Sequence, residues 1–392
     1  MKIGYIGVYR DGTGYAKQAI NNIRAISTSS LDVVAKYVNL ASSRNDAVIP
    51  ELLSLENKSL DKVDVVIQHV LPHMFEYKHG VKNIGLFDWE TSHFKRSIWP
   101  FCCNLMDEIW VPTIQNKYAC IDSGVTSPIR ILPCACDPLR FKHKPLPARI
   151  DKSGKRCIFY TIGEMTRRKN IIASIRAFYR AFSARDDVVL IIKTSMPGKT
   201  PQQSSSAIRG IVEDIKESTH IYRDKSQYPP IMCITERLHD EQIDQLHVSC
   251  DIFISLSHTE AWGIPMHDAM GFGNPVIVSN HGSYPEIVYP QACDYWMPDQ
   301  RCFRHPGTVD SGWLVPGQLS PCFGQTESFP DLYTGSEDWF DPCVTYAAEC
   351  MQEAYRLWQD KSLSSKQEAA KNRATSFDYR SVGKIAESLL LG

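Results

Sequence analysis

The segment Ser255–Val288, SLSHTEAWGIPMHDAMGFGNPVIVSNHGSYPEIV, carries more structural information than any other part of the chain. An apolar strand closes near Leu256, and a loop bearing Glu260 follows. Pro265 stands where it opens a helix as the first residue, because its missing N–H costs nothing there. Asp268 is then expected on the first turn. Gly263 lets the backbone approach a ligand closely, and the amides of Gly263 and Ile264 are left free at a helix start whose dipole favours an anion such as a diphosphate. Glu260 and Asp268 can accept protons from sugar or ribose hydroxyls. A strand–helix corner with Glu260 exposed and Asp268 serving the dipole would use the same residues.

A second strand–loop–helix succession lies upstream. Arg156–Ile162 reads as a strand, and Ile171, Ile175, Phe178 and Phe182 recur at steps of four, three and four, which marks one apolar helix face. Between them stands TIGEMTRRKNI, Thr161–Ile171, with Arg167, Arg168 and Lys169 just before the helix. Cations there oppose the positive end of the dipole, so a bound phosphate explains them better than a solvated basic helix start.

The remaining pattern is α/β. Apolar runs at Lys2–Val8, Val33–Val38, Val63–Val70, Asn83–Phe87, Glu108–Val111 and Ile129–Leu132 alternate with amphipathic stretches, and strands resume at Val188–Lys193, Ile231–Ile234, Asp251–Leu256 and Pro275–Ser279. HKPLPARIDKSG, His143–Gly154, reads as a linker. Residues 1–147 are therefore expected to form an N-terminal domain, 148–378 a second one, and 379–392 a terminal helix that returns to the first. Tyr289–Pro342 is rich in Pro, Gly, Cys and aromatics and reads as a long surface excursion. Helices return near Val344–Trp358 and Val382–Leu391.

In the first domain the loop RDGTGYAK, Arg10–Lys17, follows the first strand. Gly12 and Gly14 resemble a dinucleotide fingerprint, but Lys17 occupies the third small position, which disfavours a nicotinamide cofactor. His69, Asp88 and Glu90 fall at strand carboxyl ends, the side of an open α/β sheet that lines a crevice. Each could equally anchor a loop by a hydrogen bond.

Composition sets outer limits. The 392 residues are 43% apolar and 22% charged, which describes a globular chain of about two domains. Forty-three Lys and Arg against 44 Asp and Glu leave no global field for polyanions. Thirteen scattered cysteines, with no secretory leader and no run of membrane-spanning length, point to reduced thiols and a cytoplasmic protein. No metal-ligand cluster is evident.

E-x-W-G-I-P-x-x-D-A-M followed by G-x-P-V-I resembles the E-x7-E region of the large family-four retaining glycosyltransferases, of GT-B architecture. GLFDWETSHF (Gly85–Phe94), MDEIWVPT (Met106–Thr113) and YTGSEDWFDP (Tyr333–Pro342) are similar to a subgroup with a W-E signature in its N-domain, and LPCACDPLRF (Leu132–Phe141) resembles a P-x-G-x-D-x-x-x-F segment. The resemblance implies two Rossmann-like domains with parallel sheets facing across a cleft that closes over the donor. It implies a nucleoside-diphosphate sugar as donor, with no other cofactor and no metal. Glu260 would hold the sugar hydroxyls, with Trp262, Gly263, Ile264 and Pro265 around the donor and Asp268 in the ribose place usually taken by Glu. TIGEMTRRKNI resembles the phosphate loop G-R-x-x-x-x-K-[GN]: Lys169 matches its lysine, and Glu164 replaces its arginine, so Arg168 or Arg167 would supply that charge.

Glu260, Lys169, Asp88 and Glu90 are thus the catalytic candidates, with Gly12, Gly14, Arg167 and Arg168 beside the donor and His69 and Tyr15 on the acceptor side. As a loop acid, Glu260 should be dispensable for folding. The acceptor would be a glycan, a lipid-linked molecule or a small molecule. A hydroxymethylated DNA base is the alternative acceptor, for which a basic rim and steep salt dependence would speak. A non-catalytic sugar-nucleotide binder is the third class, and the retained Glu260 and Lys169 weigh against it.

Overall fold

The structure, a computed structural model, describes residues 1–39, 48–143, 145–148, 150, 154–291, 296–297, 302–303, 308–323 and 331–392. The linker and the excursion expected from the sequence lie in part outside them, at 144, 149 and 151–153 and at 292–295, 298–301, 304–307 and 324–330. The chain divides into two units. The first comprises Met1–Pro138, Pro321–Asp338 and Thr375–Gly392, the second Leu139–Ser320 and Trp339–Ala374.

The first unit is built on six strands, β1 (Lys2–Gly7), β2 (Asp32–Tyr37), β3 (Val65–His69), β4 (Lys82–Leu86), β5 (Glu108–Val111) and β6 (Ile129–Ile131). Their order is β2-β1-β3-β4-β5-β6, and every pairing is parallel. The continuous apolar runs of these strands suit a sheet covered on both faces. Order reverses between β1 and β3, where Gly7 pairs with His69. That topological switch brings the loop after β1 beside the end of β3.

The first unit also contains the last helix, α2 (Tyr379–Leu391), which packs on α1 (Gly14–Ile26). Val382, Ala386 and Leu390 join Ile23, Ile26 and Leu31 in one core. The approach is close because residue 383 is glycine: a β-carbon there would lie 2.3 Å from the Ala25 carbonyl oxygen.

The second unit holds β7 (Cys157–Ile162), β8 (Val188–Lys193), β9 (Ile231–Ile234), β10 (Ile252–Ser255), β11 (Val276–Ser279), β12 (Thr308–Val309) and β13 (Gly312–Val315). From one edge the order is β9-β8-β7-β10-β11-β13-β12, parallel except for the β12–β13 edge pair. Counted within the unit, the six parallel strands run 3-2-1-4-5-6, the order of a dinucleotide-binding Rossmann sheet, with its switch between β7 and β10. The sequence reading of Tyr289–Pro342 as irregular is corrected here. Gly312–Val315 is fully buried and forms the sixth parallel strand, and Gly312 is required because a β-carbon would meet the Val276 carbonyl oxygen at 2.2 Å. Helix Ile171–Ala181 covers β7 with Ile171, Ile175, Phe178 and the following Phe182, all buried.

Candidate active site

The carboxyl ends of β7 and β10 enclose a small concavity lined by Thr161, Gly163, Lys169, Ser255, Ser257, Glu260, Gly263 and Tyr284. It sits at the switch point of the sheet, where ligands of open α/β folds bind. Two local features shape its wall. Asn170 is left-handed (φ 46°) immediately before helix Ile171–Ala181, and Gly263 (φ 80°) precedes helix Ile264–Gly271. A side chain at 263 would also collide with Tyr284, whose Cε1 lies 2.5 Å from the position of a β-carbon.

Glu260 is buried, with 6% of its surface exposed. One carboxylate oxygen accepts hydrogen bonds from Lys169 Nζ at 2.6 Å and Ser257 Oγ at 3.0 Å, and the other lies 3.2 Å from Arg168 Nη1. Arg168 also donates to the Thr259 carbonyl at 3.1 Å. Burial alone would raise the Glu260 pKa, but Lys169 and Arg168 outweigh it and hold the carboxyl at about 2. Glu260 therefore stays ionised at any physiological pH and is not a proton donor. The expected exposed loop acid is corrected: its chain position is a loop, yet two cations and a serine draw its side chain into the sheet end. Arg168 and Lys169 are likewise committed to this anion rather than standing as a solvated helix start. Arg167 lies elsewhere, its guanidinium 5.7 Å from the centroid of the Trp339 ring.

The downstream helix is shifted from the sequence expectation. Ile264 is its first residue and Pro265 its second, so Asp268 is its fifth and falls beyond the first turn. Asp268 is buried and pairs at 2.9 Å with Arg140, which also forms a two-pronged ion pair with Asp244. Trp262 is buried, its ring edge-on to His267 and its carbonyl accepting from Ser283 Oγ at 2.7 Å. Gly282 (φ 71°) lets the chain pass the Glu260 backbone, where a β-carbon would sit 2.7 Å from the Glu260 carbonyl oxygen.

The first unit gathers its own set of polar side chains around the ends of β1, β3 and β4. Thr13 caps α1 by accepting from the Ala16 amide at 3.2 Å, with Gly12 left-handed (φ 71°) before it and Gly14 as first helical residue. The ring of Tyr15 lies 4.6 Å from that of His69. His69 is fully buried beside the Tyr5 hydroxyl, 2.6 Å from Nδ1, and burial pushes its pKa down to about 3. Asp88 accepts from Gln18 Nε2 at 3.0 Å, and burial, reinforced by Glu90, raises its pKa to about 7. Glu90 accepts from Tyr333 at 3.3 Å, and Trp89 is pinned by Asn116 through its amide and carbonyl. His69, Tyr15, Asp88 and Glu90 thus share one unit, while Glu260, Lys169, Arg167, Arg168, Gly263 and Asp268 share the other.

Sequence reasoning overlooked Ser257, Tyr284, Arg140 and the ring of Trp339. Only Ser257 had a usable local signal, since a hydroxyl three residues before a buried acid in a strand-end loop is placed to bond it. Among the described residues no group of three or more His, Cys, Asp or Glu is arranged to hold a metal ion, and no helix is long and apolar enough to cross a membrane.

Residues 144–301 match the family model for glycosyl transferases, group 1. No curated protein sequence matches the chain. Among solved structures, sucrose-phosphate synthase from Thermosynechococcus elongatus superposes with a TM-score of 0.63 at 13% identity, covering 100% of this chain and 98% of its own. A lipopolysaccharide outer-core galactosyltransferase in its apo form gives 0.60 at 11% identity over 100% and 99% of the two chains. A glycosyltransferase involved in lipopolysaccharide biosynthesis gives 0.56 at 12% identity over the full length of both. At such identities the likeness establishes the fold, GT-B, two Rossmann-like α/β domains.

Proposed function

We propose that this chain, a nucleotide-sugar-dependent glycosyltransferase by its group 1 segment, moves a sugar from a nucleoside diphosphate to an acceptor hydroxyl with retention of the donor's anomeric configuration. The observation that carries the reading is the ion cluster of Glu260 with Lys169 and Arg168 at the switch point of the second unit's sheet. One anion held by two cations can exchange partners with a ligand that itself carries both kinds of group. Sugar hydroxyls can donate to Glu260, and a diphosphate can take up the charge of Lys169 and Arg168 near the start of helix Ile264–Gly271.

Glu260 is poorly suited to covalent catalysis, because an acid held at about pKa 2 between two cations is a weak nucleophile. Retention then follows from attack on the face that the diphosphate leaves, with the leaving phosphate accepting the acceptor's proton. Lys169 and Arg168 supply the electrostatic stabilisation that such a departing charge needs. Asp268, held by Arg140, is the proposed ribose contact. Tyr15, His69, Asp88 and Glu90 are proposed for the acceptor side, and a glycan, lipid-linked molecule or small molecule is the proposed acceptor class.

Incubation with a panel of nucleotide sugars and candidate acceptors, with anomeric configuration read by NMR, tests the reading. Transfer with retention is expected from at least one donor. Inversion, or neither transfer nor hydrolysis across the panel, would refute it.

A further inference from the structure

The loop that carries Glu260 is braced by the segment Ser279–Tyr284. Ser279 Oγ donates to the Ser257 carbonyl at 2.7 Å, the Ser283 amide donates to the Glu260 carbonyl at 3.0 Å, and Gly282 passes against the Glu260 backbone. Tyr284 ends this segment, buried, with its ring against Gly263.

From that ring a line of hydroxyls leads to the carboxylate. Tyr284 Oη lies 2.7 Å from Ser255 Oγ, Ser255 Oγ 3.2 Å from Ser257 Oγ, and Ser257 Oγ 3.0 Å from Glu260 Oε1. All these side chains are buried. The chemistry of the last group fixes the direction of the chain. An ionised carboxylate only accepts, so Ser257 directs its one hydrogen at Glu260. The Lys169 carbonyl, 3.5 Å from the same hydroxyl, is farther and uncharged. The Ser257 oxygen then accepts from Ser255, and Ser255 accepts from Tyr284. Burial, reinforced by the charge of Glu260, pushes the Tyr284 phenol above its ordinary pKa, so it keeps its proton and heads the chain.

We propose that Tyr284, Ser255 and Ser257 are positioning residues for Glu260, whose aligned hydroxyls fix Oε1 to the protein and leave Oε2 to receive one hydroxyl of the donor sugar, a proposal that rests on the donor reading given above. A carboxylate offers about four acceptor sites, two on each oxygen. Lys169 Nζ and Ser257 Oγ take those of Oε1, whereas among the described residues Oε2 faces only Arg168, at 3.2 Å. The cations alone do not set this orientation, because the ammonium of Lys169 sits on a flexible stem and can follow the carboxylate as it turns. A hydroxyl chain anchored on a buried ring cannot follow it, and satisfied buried networks of this kind rigidify what they hold.

The test measures release of nucleoside diphosphate, by transfer or hydrolysis, from UDP-glucose, UDP-N-acetylglucosamine, GDP-mannose and ADP-glucose, beside inhibition by the matching free diphosphate. With the best of these nucleotide sugars, Ser257→Ala should lower kcat/KM by about tenfold, and so should Tyr284→Phe, which keeps the ring against Gly263 and removes only the hydroxyl. The inhibition constant of the free diphosphate, which has no sugar for Glu260 to hold, should stay within about twofold. The double variant should lose no more than Ser257→Ala alone, since that change already cuts the chain at the carboxylate. Should Ser257→Ala fail to fold, Ser255→Ala cuts the same chain at its middle. Losses that multiply, a parallel loss of diphosphate inhibition, or wild-type kcat/KM in Tyr284→Phe would overturn the proposal and leave the donor reading intact. A wild-type protein that turns over none of these nucleotide sugars defeats both.

Discussion

Replacing Glu260 by glutamine keeps the shape of the side chain and removes its charge. In the wild type Lys169 and Arg168 hold the carboxyl at about 2 against a usual 4.5, which corresponds to about 3 kcal/mol of folding stability at neutral pH. Because the folded pKa is the lower one, that stability is fully present above the unfolded value and is lost as the pH falls from about 4.5 towards 2. Glu260→Gln should therefore be destabilised by about 3 kcal/mol from pH 6 to 8, the difference narrowing only in acid. The same change leaves Lys169 and Arg168 facing each other, so retained folding will come with altered donor affinity. Urea denaturation followed by tryptophan fluorescence at several pH values measures the first effect, and steady-state transfer at saturating donor the second, where a loss of at least a hundredfold is expected. A variant as stable as the wild type at pH 7, or one with wild-type turnover, would refute the assignment of Glu260 as the charge around which this site is organised.

Lys169→Ala should cost roughly 2–4 kcal/mol in transition-state stabilisation, measured as kcat/KM for the donor. Gly263→Ala meets both a left-handed backbone and the ring of Tyr284, so a loss of about 2–4 kcal/mol is expected by thermal unfolding. Asp88→Asn has the opposite sign: with its pKa raised to about 7, ionised Asp88 opposes folding increasingly from about pH 4 to 7 and fully above. The asparagine variant should thus gain roughly 2–4 kcal/mol on the wild type at pH 8 and little at pH 4, as read from urea midpoints across that range.

Most strands were legible because Val- and Ile-rich runs such as VVLIIK at 188–193 are buried on both faces, and burial of that kind writes itself into composition. Gly312–Val315 was not, because its four residues sit among Pro, Gly and Cys and owe their strand form to β11 alongside. Glu260 and Lys169 could be singled out by type and neighbourhood. Their mutual ion pair could not, since it depends on β7 and β10 being adjacent across the switch point. The same holds for Arg140 with Asp268, a pair far apart in the chain that no periodicity links. The start of helix Ile264–Gly271 was misplaced by one residue because a left-handed Gly263 already caps it, which moves Pro265 to the second position.

The packing of α2 on α1 has a consequence for synthesis. Val382, Ala386 and Leu390 complete the same core as Ile3, Ile23 and Val33, so the first unit remains unfinished until residues 382–390 have been made. The second unit, whose last residue is Ala374, has all its strands before then. Ordinary amino-to-carboxyl order is therefore reversed: the unit that is made first is the one sealed last, and meanwhile its nascent sheet carries an uncovered apolar face. The closing step joins residues 382–390 to residues 3–33, a contact of very large sequence separation, and on that ground it belongs late in folding.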